Sequence, residues 1–232
     1  MRRAVADVPL LASVGKVNGP GPVDRWDFVS GGNMQGQTPA GPHAGDALVV
    51  VDLQRDFLPG GALGVAGGDR VIGVMNDYLA VFSELHLPVF ATRDWHPAEH
   101  CSFRAQGGPW PPHCVAGSAG AAFAEGLRLP AETVVVSKAT SPQRDAYSGF
   151  SGTDLQPRLL AAHVTRLFVG GLATDYCVLQ TVKDARALGF AVVLLLDAIA
   201  PVEAHAGDGD RAIDEMRTAG AVVADRAALL PL

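Results

Sequence analysis

Asp52, Lys138 and Cys177 offer a carboxylate, an ammonium and a thiol, and each follows the last apolar residue of a separate run, directly or after a short turn. A carboxylate can take a thiol proton, an ammonium can hold the resulting thiolate, and a thiolate can attack a carbonyl carbon. Cys177 lies in Leu167-Phe168-Val169-Gly170-Gly171-Leu172-Ala173-Thr174-Asp175-Tyr176-Cys177-Val178, an apolar strand that runs into a small-residue turn and opens a helix. Val178, Val182, Ala185 and Leu188 continue at helical spacing, and Thr174 or Asp175 is placed to cap the helix. Unpaired backbone N–H groups and the positive end of the helix dipole favour thiolate at such a position. Taken singly, Cys177 also reads as a small buried hydrophobe, and Asp and Lys at strand ends as solvated turn residues. Three such groups at three strand ends point to a site.

A second cluster lies between Asp94 and Ala122, a long segment rich in Pro, Gly, His and Trp with no periodicity, and such a stretch inside a domain is usually functional. It holds Asp94, His96, His100 and His113; three imidazoles and a carboxylate make an ordinary ligand set for one divalent transition metal. Histidines this close also occur in loops without any metal. Nitrogen and oxygen donors do not discriminate sharply, so zinc, taken first, and iron or manganese all fit, with availability deciding. Cys101 and Cys114 each neighbour a candidate ligand and offer thiolates as alternatives.

The elements that must position these groups alternate. From Asp46 the pattern changes, and Ala47–Val51 is apolar on both faces, as a central parallel strand requires. Val71, Val74, Met75, Tyr78, Leu79, Phe82 and Leu85 then mark one helix face, and strands are predicted at 88–92, 133–137, 166–170, 191–196 and 221–223. Helices are predicted at 155–163, after Cys177 and at 211–218. The pattern is that of an α/β single domain over residues 46–232, a mainly parallel open sheet of about six strands with helices on both faces. Strand ends in such a sheet share one edge, where ligands bind. Asp197, after the 192–196 strand, is expected to fix a loop there. Residues 1–45 are Gly- and Pro-rich, read as a mobile extension, and include Met34 as an alternative start.

With 232 residues, 48% of them hydrophobic, the chain can bury one substantial core. A net charge of -6 and the lack of a basic stripe argue against nucleic acid. No stretch is long enough for a membrane span. Three cysteines, an odd and sparse number, suit a cytoplasmic protein better than a disulfide framework. Monomer and homo-oligomer stay open.

Three of these segments, Asp52-Leu53-Gln54-Arg55-Asp56-Phe57, Ser137-Lys138 and Ala173-Thr174-Asp175-Tyr176-Cys177-Val178, resemble the signatures of the isochorismatase-like cysteine hydrolases. Asp94-Trp95-His96-Pro97-Ala98-Glu99-His100-Cys101-Ser102-Phe103 and Trp110-Pro111-Pro112-His113-Cys114 are similar to those of its nicotinamidase/pyrazinamidase branch. The resemblance spans residues 46 to about 224 and implies Cys177 as nucleophile, Asp52 as general base and Lys138 as the partner that lowers the thiol pKa. It further implies a cis peptide before Ala173 and an oxyanion hole from the N–H groups of Ala173 and Cys177. Asp94, His96, His100 and His113 become metal ligands that orient the ring nitrogen of nicotinamide, the implied small-molecule substrate. That assignment favours three histidines over Cys101 or Cys114. Phe57, Leu63, Trp110 and Tyr147 match positions that line the ring slot, though ordinary core packing explains Tyr147 equally well. Tyr176 stands beside the nucleophile with no implied role. The runner-up activity is another amide or carbamoyl hydrolase of the same superfamily.

Overall fold

The computed structural model describes residues 41–229. Most of the predicted extension, and the reading of Met34, lie outside the described residues. Six strands, β1 (Asp46–Val51), β2 (Val89–Asp94), β3 (Val134–Lys138), β4 (Arg166–Leu172), β5 (Ala191–Ala200) and β6 (Val222–Ala224), form one sheet ordered β3-β2-β1-β4-β5-β6. Every pairing is parallel. The helices are α1 (Gly68–Glu84), α2 (Leu155–Ala161), α3 (Leu179–Ala187), α4 (Asp208–Thr218) and α5 (Arg226–Leu229).

Alternation along β1 builds two cores. Leu48 and Val50 face a layer that includes Met75, Tyr78, Leu79 and Phe82 of α1 and Leu229 of α5. Ala47, Val49 and Val51 face Leu155 and Leu159 of α2, Val182 and Ala185 of α3, and Met216 of α4. Each large apolar side chain buried in this way contributes about 1.5–3 kcal/mol. Leu85, expected on the buried face of α1, is 49% exposed, because the helix ends one residue earlier. At the amino end of β1 the buried Asp46 accepts a forked pair of hydrogen bonds from Arg166 of β4, Nε at 2.8 Å and one terminal nitrogen at 2.6 Å. The same guanidinium donates to the Gly41 carbonyl at 3.0 Å, which ties the last residues before the sheet to β4.

The chain moves from β1 outward through β2 and β3, then crosses to β4 and continues outward through β5 and β6. The direction reverses at β1 and β4, so their carboxyl ends flank the crevice where an open parallel sheet takes its ligand. Close approach there depends on Gly171: its φ is 129°, and a Cβ would stand 2.0 Å from the Val51 carbonyl oxygen.

β5 runs four residues past its predicted end. The β4–β5 register shifts between Val169 and Gly171, so Ile199 and Ala200 pair again with Gly171 and Leu172. Asp197 therefore lies within β5 and not in a loop after it. Its carboxylate accepts from the Tyr78 hydroxyl (2.9 Å), Arg226 Nε (2.9 Å) and the Arg226 backbone N–H (3.2 Å), which fastens α1 and α5 to the sheet.

Candidate active site

Four neighbouring strands deliver four polar groups to one edge: Lys138 from the end of β3, Asp94 from the end of β2, Asp52 just past β1, and Cys177 in the turn after β4. Asp52 adopts a left-handed backbone, φ 47°, that turns the chain off β1. Its Oδ1 accepts from the Thr92 hydroxyl at 2.7 Å. Its Oδ2 is 2.9 Å from Lys138 Nζ as an ion pair, yet receives no hydrogen bond of good geometry. Lys138 Nζ also donates to Asp94 Oδ1 (2.5 Å), the Ala146 carbonyl (3.1 Å) and Cys177 Sγ (3.4 Å). The ligating atoms of Asp52, Asp94 and Cys177 all lie within 4.8 Å of one another.

Burial sets the direction of titration for Cys177 and Asp52, and neighbouring charge sets it for Lys138 and Asp94. Burial lifts the Cys177 thiol well above its usual range, by more than Lys138 lowers it. Resting Cys177 is accordingly a thiol, and the helix-start argument for a thiolate is outweighed. Burial also raises Asp52 against the pull of Lys138, and the charge of Asp94 adds to the rise. Burial alone would lower Lys138, but Asp52 and Asp94 hold its ammonium well above the ordinary value. For Asp94 burial again raises, while Lys138 and His96 prevail and keep the carboxyl well below the usual carboxylate range.

The turn carrying Cys177 departs from a simple helix start. The Leu172–Ala173 peptide is cis. Thr174–Val178 then winds as one turn of π-helix, with the Tyr176 and Val178 N–H groups both donating to the Ala173 carbonyl at 3.1 Å. Neither Thr174 nor Asp175 caps it. The Asp175 carboxylate instead accepts the N–H groups of Val202 (2.8 Å) and Glu203 (3.0 Å), clasping the segment after β5 against the turn.

Asp94, His96 and His113 are buried with their ligating atoms within 4.8 Å of one another. Both ring nitrogens of His96 are buried without a hydrogen-bond partner, and His96 Nε2 is 3.6 Å from Asp94 Oδ2. Orphaned imidazole nitrogens beside a carboxylate fit a bound divalent metal. Burial lowers the pKa of His113 and of His100, which keeps both rings in the neutral, metal-binding form. His100 stands beside the group, its ring 4.2 Å from that of His96. Its Nε2 faces the Arg144 carbonyl at 3.2 Å, and its Nδ1 faces the Ser102 hydroxyl at 2.8 Å. Cys114 is buried and its thiol is pushed up, chiefly by burial, whereas a ligand thiol must lose its proton.

Phe57, Leu63, Trp110 and Tyr147 all line one cavity, together with Cys177, Ala173, Asp94, His96 and His113. Asp52 and Lys138 lie behind its wall. Trp110 Nε1–H donates to the Tyr147 hydroxyl at 3.0 Å, and Tyr176 meets the indole edge-on at 5.3 Å between centroids. Sequence reasoning missed Val65, Ser102, Asp145, Ala146 and Val202 on the same wall. Val65, Ser102, Ala146 and Val202 are small or apolar residues that carry no signal distinguishing lining from packing, and Asp145 lies in no recognisable motif.

An open parallel α/β sheet that gathers a thiol, a carboxylate and an ammonium at its switch point, beneath a flat aromatic slot, defines the class of α/β cysteine hydrolases. The isochorismatase domain family matches residues 46–228, and the chain belongs to that family. It is 41% identical over 181 residues to the nicotinamidase/pyrazinamidase of Mycobacterium tuberculosis, covering 75% of this chain and 95% of that protein. Among solved structures it is similar to the pyrazinamidase of Pyrococcus horikoshii in complex with zinc, with a TM-score of 0.75, 48% identity and coverage of 78% and 99%. It is similar also to PnC1 of L. infantum in complex with nicotinate, with a TM-score of 0.76, 41% identity and coverage of 83% and 98%.

Proposed function

We propose that this chain hydrolyses nicotinamide to nicotinate and ammonia through a thioester on Cys177. The observation that carries the reading is the position of Cys177. It lies on the wall of an aromatic slot, with Lys138 Nζ 3.4 Å behind its sulfur and the Asp94, His96 and His113 group on the same slot. The relatives named for nicotinamide or pyrazinamide hydrolysis, and the neighbour holding nicotinate, support the substrate.

Phe57, Leu63, Trp110 and Tyr147 sandwich the flat ring and place its carboxamide carbon at the cysteine. Asp94, His96 and His113, with His100 beside them, would hold a divalent metal, which supplies a positive centre for the ring nitrogen and so fixes the orientation of the substrate. Zinc is the favoured ion, in keeping with the zinc-bound neighbour.

The chemistry then falls to the chain's own groups. Asp52 takes the thiol proton on Oδ2, the oxygen that receives no other hydrogen bond. The developing thiolate is stabilised by Lys138, whose charge persists at any working pH. Sulfur attacks the carboxamide carbon, and the N–H groups of Ala173 and Cys177 receive the oxyanion; such donors are worth roughly 3–4 kcal/mol each in other acyl-transfer enzymes. Protonated Asp52 returns its proton to the amide nitrogen as the C–N bond breaks, and ammonia leaves. Asp52 next takes a proton from water, the hydroxyl adds to the thioester carbon, and the C–S bond breaks. The thiolate recovers the proton from Asp52, and the acid ionises to nicotinate.

The test is ammonia release from nicotinamide by purified protein, with acyl-enzyme trapped by rapid acid quench and weighed by mass spectrometry. A nicotinoyl adduct on the Cys177 peptide is the expected result. Turnover with no adduct on that peptide would rule the scheme out.

A further inference from the structure

The metal-facing residues are held by a stretch that contributes no ligand. β1 and β2 pair as far as the Asp52 N–H, which donates to the Thr92 carbonyl at 3.2 Å. Beyond it the left-handed Asp52 swings the backbone away, so the next β2 residue that would face β1, Asp94, loses its main-chain partner. The Gln54 side chain takes that place. Its Oε1 accepts the Asp94 N–H at 2.7 Å, and its Nε2 donates to the Asp94 carbonyl at 2.8 Å. A single buried carboxamide thus pairs with both main-chain groups of one residue, as a neighbouring strand would. Its second amide hydrogen reaches the Ala121 carbonyl at 3.0 Å.

Two residues on, Asp56 does the same service for the other side of the group. Its Oδ2 accepts the Cys114 N–H at 2.7 Å, next to His113. The Cys114 carbonyl in turn accepts the His96 N–H at 3.0 Å, so this one carboxylate anchors the backbone of two of the three clustered residues. Gly120 makes room for it, since a Cβ there would stand 2.1 Å from Asp56 Oδ2.

We infer that Gln54 and Asp56 are positioning residues for the metal centre, setting Asp94, His96 and His113 through their backbones without touching metal or substrate. The inference rests on the metal-assisted reading of the site given above. It makes Asp52, Gln54 and Asp56, alternate residues of one short segment, responsible in turn for proton transfer and for the two halves of the metal cradle.

Zinc affinity of the full chain, measured by competition with a chromophoric chelator, tests it. Gln54→Leu and Asp56→Ala are expected to weaken zinc binding by about 10- to 100-fold, the usual effect of removing a group that orients ligands. Asp56→Asn keeps an amide oxygen for the Cys114 N–H and should bind zinc as the unaltered chain does. Unfolding temperatures of the metal-free proteins separate this from simple loss of fold. Lowered unfolding temperatures with unchanged zinc affinity would overturn the inference, as would equal loss in Asp56→Asn and Asp56→Ala. If Gln54→Leu does not fold, the Asp56 pair decides. An unaltered chain that takes up no zinc, iron or manganese would overturn the underlying reading itself, a result distinct from either of these.

Discussion

Asp94 Oδ1 stands 2.5 Å from Lys138 Nζ, and its Oδ2 faces His96 Nε2 at 3.6 Å. One carboxylate therefore joins the metal-facing group to the lysine behind the nucleophile. Its charge also raises Cys177. Asp94→Asn should weaken zinc binding and, in metal-free protein, make Cys177 react faster with iodoacetamide at neutral pH. His113→Ala should weaken zinc binding alone. Equal alkylation rates in Asp94→Asn and the unaltered chain would show that the two groups are uncoupled.

Cys177→Ala removes the atom that carries the acyl group. Its kcat for nicotinamide should fall by about 10⁴-fold or more, as when a nucleophile is deleted from other acyl-transfer enzymes. The cavity wall loses only one sulfur, so the unfolding temperature should stay close to that of the unaltered chain. Coupled ammonia detection gives the first number and calorimetry the second.

The pH dependence has a definite sign. Asp52 acts only when ionised, and burial raises its pKa, so kcat/KM should decline on the acid side through a value above the ordinary carboxylate figure of about 4. Cys177 stays protonated through neutrality and needs no prior ionisation, so no basic ascent is expected between pH 7 and 8.5. A rate that climbs with thiol ionisation across that interval would mean the thiolate forms without Asp52.

Chelation should separate binding from bond cleavage. Metal-free protein is expected to lose activity towards nicotinamide, to regain it on zinc addition, and to keep Cys177 open to iodoacetamide throughout. Activity untouched by exhaustive dialysis against chelator would move the substrate assignment to another amide of the same superfamily.

Gly171→Ala should be the costliest small substitution near the site. A methyl carbon there would stand 2.0 Å from the Val51 carbonyl oxygen, on a backbone that side chains rarely adopt. About 4 kcal/mol or more of stability is at stake, measurable by urea unfolding. A loss below about 1 kcal/mol, the centre of the range for point substitutions in general, would mean that β1 and β4 separate at little cost.

The central strands were readable because both faces are buried, so residues 47–51 of β1 and 167–172 of β4 are unbroken runs of apolar residues and glycine. β5 was cut short because the polar Asp197 falls where its register shifts, and a polar residue ends an apolar run whether or not the strand ends. The π turn around Cys177 was beyond periodicity, which distinguishes helix from strand but not an i+5 bond from an i+4 bond. Asp175 looked like a cap by type and position, yet its partners Val202 and Glu203 lie 27 and 28 residues away. The convergence of Cys177, Lys138 and Asp52 on one sheet edge was legible from strand ends. The dominance of burial over charge in setting the thiol was not, since depth cannot be read from spacing. Gln54 carries no signal of its role in the sequence, because its partner is the backbone of another strand.

The forked contact between Asp46 and Arg166 joins residues 120 positions apart. Of the six strands β1 is made first, and β2 is available to cover one of its edges while the other edge and the Asp46 carboxylate wait for β4. At about 5–20 residues per second this interval lasts roughly 6 to 24 s. Throughout it, the uncharged run Ala47–Val51 is an exposed, strand-forming segment of the kind that other chains pair with. A strand that ends up at the centre of the sheet is thus the one whose second edge a nascent chain must leave open longest.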